Sequence, residues 1–96
     1  MTRSRKPAEF RFRLYIVGHA PNSVRAVTNL IALCRQHLPD RHHIEIVDVL
    51  LEPQRGLADK IMLTPSLVKY SPAPLVTIIG NLSDDQIVLQ SLGIAT

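Results

Sequence analysis

Leu14-Tyr15-Ile16-Val17-Gly18-His19-Ala20-Pro21-Asn22-Ser23-Val24-Arg25-Ala26 is the stretch on which the fold turns. An apolar strand runs into a Gly/Pro/Asn turn, and a helix capped by Asn22 or Ser23 follows. Upstream, Phe12, Leu14 and Ile16 alternate with Arg11 and Arg13, which predicts a strand over Phe10 to Val17. Its end is apolar on both faces, the pattern of a central strand covered by helices. Downstream, Val24, Val27, Leu30, Ile31, Cys34 and Leu38 recur at three- and four-residue spacing. They predict a helix with one apolar stripe from about Ser23 to Leu38, stopped by Pro39-Asp40.

Working outward, Ile44 to Leu51 reads as a second strand whose apolar run is interrupted by Asp48, a turn cap, a water-facing carboxylate or a partner contact. Glu52-Pro53-Gln54 opens a weaker helix, with Leu57, Ala58, Ile61 and Met62 expected on its buried side. Gly56 within it costs up to about 1 kcal/mol relative to Ala. Leu67 to Tyr70 and Leu75 to Ile79 read as strands joined by the stiff Ser71-Pro72-Ala73-Pro74 connection, and Gly80-Asn81 closes the second. Ser83-Asp84-Asp85-Gln86 has the form of a capping box, Val88, Leu89 and Leu92 give the last helix its apolar side, and Gly93 stops it. The order βαβαββα predicts an α/β, thioredoxin-like fold. Thr64-Pro65 stands where that fold holds a cis proline, and the redox cysteines are missing from the Gly18–Pro21 turn.

The chain has 96 residues, enough for one domain over 9–96 behind a flexible basic tail of residues 1–8. With 46% hydrophobic residues but no Trp, two Phe and two Tyr, the core must be aliphatic. No apolar run approaches the roughly 20 residues that span a bilayer, and the start lacks the apolar stretch of a signal peptide, so the expected location is cytoplasmic. Residues 1–41 carry Arg3, Arg5, Lys6, Arg11, Arg13, Arg25, Arg35 and Arg41 against Glu9 and Asp40, whereas the remainder is acidic. Such polarity suits docking to charged protein surfaces. No helix carries a basic stripe, which argues against nucleic acid. A lone cysteine excludes an internal disulfide and a cysteine-based zinc site, and Cys34 reads as a small apolar residue on a buried helix face. His37, His42 and His43 read as loop residues rather than metal ligands, and His19 lacks a nucleophile and an orienting group. Neither cofactor nor catalysis is expected.

Four segments then converge on one family. The opening stretch resembles LYVAGNTPNSVRA of the KaiB family of circadian-clock proteins. Ile46-Val47-Asp48-Val49-Leu50 with Glu52-Pro53-Gln54 resembles VIDVL-x-x-PQ, Asp59 to Leu67 resembles DKILATPTL, and Ile78 to Ser83 resembles IIGDLS. The match runs from about Phe12 to Ile94.

The resemblance implies a non-enzymatic regulator that binds the KaiC-type ATPase. Its partners would extend to a SasA-like kinase competitor or a KaiA-like protein. It also implies two folds: a homo-oligomeric ground state, dimer or tetramer, with the order βαββααβ, and a thioredoxin-like monomer. Arg25, Lys60 and Lys69 match basic positions of the family and, with Asp48, are the expected partner contacts. Pro65, Pro72, Pro74 and Gly80 would set which fold is reached. The chain also departs from the family. Val76 and Thr77 replace a pair of arginines, Asn81 replaces Asp, Ser91-Leu92-Gly93 replaces G-L-D, and an acidic tail is missing after Thr96. Ser91 favours helix over Gly and Gly93 supplies a stop, so both lean toward the thioredoxin-like state and a divergent family member. The rival readings are a thioredoxin-like oxidoreductase and a stand-alone SasA-type sensory domain.

Overall fold

The computed structural model of the chain describes residues 8–94, so the expected tail at 1–8 lies, save Ala8, outside the described residues. Seven elements follow in order: β1 (Phe10–Ile16), α1 (Pro21–His37), β2 (His42–Asp48), α2 (Pro53–Ala58), β3 (Ser66–Ser71), β4 (Val76–Ile79) and α3 (Asp85–Leu92). The sheet order is β2-β1-β3-β4, with β1 parallel to β2, β3 antiparallel to β1, and β4 antiparallel to β3. This is the expected thioredoxin-like βαβαββα arrangement, and β1 is central in it. The Thr64–Pro65 peptide is cis, as are Ser71–Pro72 and Ala73–Pro74.

Side-chain alternation divides the sheet into two faces. Phe10, Phe12 and Leu14 of β1 and Leu67 of β3 pack against Ala26, Leu30, Leu33 and Cys34 of α1 and Val88, Leu89 and Leu92 of α3. On the opposite face, Tyr15, Val47 and Val68 form a small cluster with Val49 and Ile61 beside α2.

The α1 stripe is rotated from its expected position. The helix begins at Pro21, in the first turn where a missing N–H costs nothing, behind an Ala20 N-cap without a side-chain hydrogen bond. Neither Asn22 nor Ser23 is the cap. Ser23 is buried, and its hydroxyl accepts from the Val17 N–H at 3.1 Å, tying the helix to the end of β1. The buried line runs through Ser23, Ala26, Leu30, Leu33 and Cys34, which leaves Val24 48% exposed. Small residues at 23 and 26 hold the sheet side, and ranking by hydrophobicity misses them.

The expected capping box is also replaced. Asp84, not Ser83, is the N-cap of α3, accepting from the Ile87 N–H at 3.2 Å. A carboxylate there also meets the positive end of the helix dipole. Gly93 ends α3 as expected, at φ 73°, a conformation glycine adopts without steric cost.

The expected buried side of α2 is mostly absent. Leu57 is 77% exposed and Met62 89%, Ala58 is exposed, and Ile61 is partly buried. Gly56 faces inward: a Cβ there would stand 3.2 Å from Val49 Cγ1, close enough that the valine side chain would have to shift by a few tenths of an ångström.

Candidate interaction surface

The β1–α1 turn, where the fold would hold redox thiols, carries Gly18, exposed His19, exposed Ala20 and Pro21. Its geometry is set by Asp48. One carboxylate oxygen accepts from Gly18 N–H at 3.2 Å and from Leu50 N–H at 2.9 Å, joining the turn after β1 to the turn after β2. Asp48 is thus a backbone cap. Cys34 lies fully buried on α1, and burial pushes its thiol up to about 12, so it is neither ionised nor reachable. Among the described residues no cluster of His, Cys, Asp and Glu is placed to hold a metal. His42 instead turns its Nδ1 to the Leu38 carbonyl at 2.7 Å, and only an N–H can satisfy that oxygen.

Polar residues collect beneath α2. Asp59, just after the helix, accepts from the Tyr15 and Tyr70 hydroxyls and pairs with Arg13 at 2.9 Å. Arg13 also donates to Glu45 at 2.8 Å and stacks over the Tyr70 ring, 4.7 Å from its centroid. Glu45 in turn holds Arg55 of α2 at 2.8 Å. The two tyrosine hydroxyls, then Arg13, hold the Asp59 carboxyl below the usual range. Arg55, then Arg13, does the same for Glu45. Desolvation first, then Asp59, raises both tyrosines. These carboxylates are paired anions, unsuited to general-base work at neutral pH.

Beside this network the surface is apolar. Val17, Val49, Pro53, Leu57, Ile61 and Met62 line a groove of about 380 Å³. Leu50, Leu51, Leu57, Met62 and Leu63 are all more than half exposed. Exposed large hydrophobics grouped in one segment, rather than scattered singly, mark an interaction surface.

The expected contact residues do not form one patch. Lys60 is exposed at the end of α2, at φ 58°, between the groove residues Leu57 and Met62. Arg25 is exposed on α1, the helix packed against the other face of the sheet. Lys69 is not on the surface. It is 3% exposed, its amine donates to the Leu92 carbonyl at 3.3 Å and lies 5.8 Å from the Phe10 ring centroid. It shares the inward parity of Leu67, and the C-terminal end of α3 supplies the partner for its charge. That parity was a readable signal.

Of the residues expected to set the fold, Pro65 is buried and its carbonyl accepts from Gly80 N–H at 3.0 Å, while Gly80 stands at φ 124°. Pro72 and Pro74 flank the β3–β4 turn, and exposed Ser91 lies within α3. Asn81 does what Asp could not do alone: its amide nitrogen donates to Asn22 at 3.3 Å while its side-chain oxygen accepts from Ser83 N–H at 3.1 Å.

The sequence reading missed Arg13, Tyr15, Glu45, Arg55, Asp59 and Tyr70 as a group. The signal available was parity, since Arg13, Tyr15, Glu45 and Tyr70 all alternate with core-facing positions of their strands.

The KaiB domain family matches residues 13–94. The circadian clock protein KaiB3 of Synechocystis sp. is 45% identical over 82 residues, 85% of this chain and 80% of that protein. The circadian clock oscillator protein KaiB of Nostoc sp. is 40% identical over 92 residues, covering 96% and 83%. Among solved structures, the N-terminal domain of Synechococcus elongatus SasA superposes with a TM-score of 0.72 at 18% identity, covering 97% of this chain and 91% of that one. Mitochondrial thioredoxin 3 of Saccharomyces cerevisiae gives 0.70 at 15%, covering 91% and 77%. At these identities the structural likeness speaks for the fold alone.

Proposed function

The chain belongs to the KaiB family, and from that premise we propose that it is a non-enzymatic regulator of a circadian clock or clock-derived timing or stress system, acting by binding a KaiC-type ATPase and modulating its phosphorylation and output. The observation that carries this reading is the exposed apolar surface around α2, with Lys60 between Leu57 and Met62. An apolar centre with a charged rim is the form of a protein-docking site, the charge steering encounter and the apolar area supplying affinity. A turn without thiols and a buried, protonated Cys34 support binding over thiol exchange.

On this reading a SasA-like kinase competes for the same ATPase surface and a KaiA-like protein is a further partner, in the cytoplasm. Arg25 sits on the α1 side, outside the Lys60 surface, and contacts a second partner or none; Lys69 serves the core of this state. A dimer or tetramer with an altered C-terminal half is the resting form, and the βαβαββα monomer is the binding form. Pro65, Pro72, Pro74, Gly80, Asn81, Ser91 and Gly93 bias the balance between them.

The test is co-purification with the KaiC homologue of the same genome. Capture by the wild type and at least about tenfold weaker capture by Lys60→Glu is expected, as for loss of a charged contact at the rim of an apolar site. Capture unaffected by both Lys60→Glu and Leu57→Asp rejects this surface, and insulin reduction by the purified protein rejects the non-enzymatic reading.

A further inference from the structure

Little apolar surface holds α2 in place. The helix has six residues and buries one, Gly56, while Leu57 and Met62 point to solvent and Ile61 reaches the sheet cluster only in part. Isolated helices of this length are unstable in water, so something else must hold it.

The polar network supplies that hold, and its layout is a closed circuit. It leaves α2 at Asp59, passes to Arg13 on β1 at 2.9 Å, crosses to Glu45 on β2 at 2.8 Å, and returns to α2 at Arg55, again at 2.8 Å. Charges alternate at every step, so each ion has opposite neighbours. Tyr15 of β1 and Tyr70 of β3 donate to Asp59, adding a third strand to the anchor. The α2 segment is therefore attached at both ends of one helical turn, to three strands, by groups that are 27–40% exposed. Because these groups are part exposed, salt at about 1 M weakens the longer-range attraction along the circuit, while the 2.8–2.9 Å contacts themselves are screened less than fully solvated pairs.

We propose that the Asp59–Arg13–Glu45–Arg55 circuit is a latch that holds α2 on the sheet, and that opening it releases residues 50–63 as a unit while the α1–α3 core stays folded. Release changes the presentation of Leu50, Leu51, Leu57, Met62 and Leu63 together, so the latch controls one continuous apolar segment. It concerns this protein alone and stands whether or not the partner proposed above binds there.

Native-state hydrogen exchange on the full chain reads the latch directly. The reporter amides are Lys60 N–H, bonded to the Leu57 carbonyl at 3.1 Å, and Ile61 N–H, bonded to the Gly56 carbonyl at 2.8 Å. Raising NaCl from about 0.05 M to about 1 M should speed their exchange several-fold and leave α1 amides such as Leu30 unchanged. Asp59→Asn and Arg55→Met should each speed it by about tenfold at low salt, as for loss of a charge-assisted hydrogen bond, and should flatten the salt response. Arg25→Ala, on the other side of the sheet, should do neither. Reporter exchange unchanged by salt and by both variants overturns the latch. Exchange that rises equally in α1 overturns it too, since the segment would then open only with the whole fold.

Discussion

Among the described residues, the sheet packs thirteen buried side chains on the side of α1 and α3, Phe12 and Leu30 among them, whereas on the side of α2 it packs three, Tyr15, Val47 and Val68. The first interface is apolar, mostly aliphatic with Phe10 and Phe12, and beside it the amine of Lys69 is satisfied by the end of α3. The second is a thin apolar cluster bordered by alternating charges. Apolar burial scales with area and is not screened by salt, whereas partly exposed ion pairs respond to salt, pH and single charge changes. One sheet thus carries a permanent face and an adjustable one, and the exposed leucines belong to the adjustable side.

The comparison is broken most severely from the permanent side. Leu30→Ala removes a side chain that is 1% exposed in the main cluster, and a loss of about 3 kcal/mol is expected, with a fall in Tm of more than about 10 °C. Urea and thermal melts check this. A loss below about 1 kcal/mol would show that this face is not the principal core.

Acid is the next largest effect, and it separates the faces. Asp59 is lowered by the Tyr15 and Tyr70 hydroxyls, then Arg13, and Glu45 by Arg55, then Arg13. Arg11 and His43 line the same recess as Arg13, Glu45 and Tyr70, and Glu52 pairs with Arg55. Carboxylates lowered on folding bind fewer protons in the native state than in the unfolded one. Their contribution is therefore whole above the ordinary carboxylate range, about pH 4, and drains away as pH falls through the native values. Protection of Ile61, corrected for intrinsic exchange, should be lost on acidification before that of Leu30.

The two left-handed helix ends give the smallest and sharpest contrast. Gly93→Ala, at φ 73° with open space around a Cβ, should cost about 1 kcal/mol. Lys60 holds φ 58° with a side chain, and Lys60→Gly should gain up to about 1 kcal/mol locally, read as slower Ile61 exchange. A destabilising Lys60→Gly would mean that the lysine side chain anchors α2 itself.

The permanent face was largely legible in the sequence. Phe12, Leu14 and Leu30 fall on their expected sides because strand and helix periods are local properties of the chain. The rotation of α1 was less legible, since Ser23 and Ala26 carry weak hydrophobic signals at positions decided by close approach to the sheet. The adjustable face was nearly silent. Strand parity sets Arg13 and Glu45 opposite the α1 side, but nothing near them or Asp59 in sequence shows what they meet.

The amino-acid order by itself determined the succession of strands and helices, the Gly93 stop, the thiol-free turn and, through four matching segments, the family. Each of these rests on interactions within a few residues. Which charges pair and which leucines stay in water were decided by tertiary structure alone. Arg13 meets Glu45 across 32 positions of sequence, Asp59 across 46 and Tyr70 across 57. Such meetings depend on strand register and on where α2 comes to rest, and both are set only when the sheet closes.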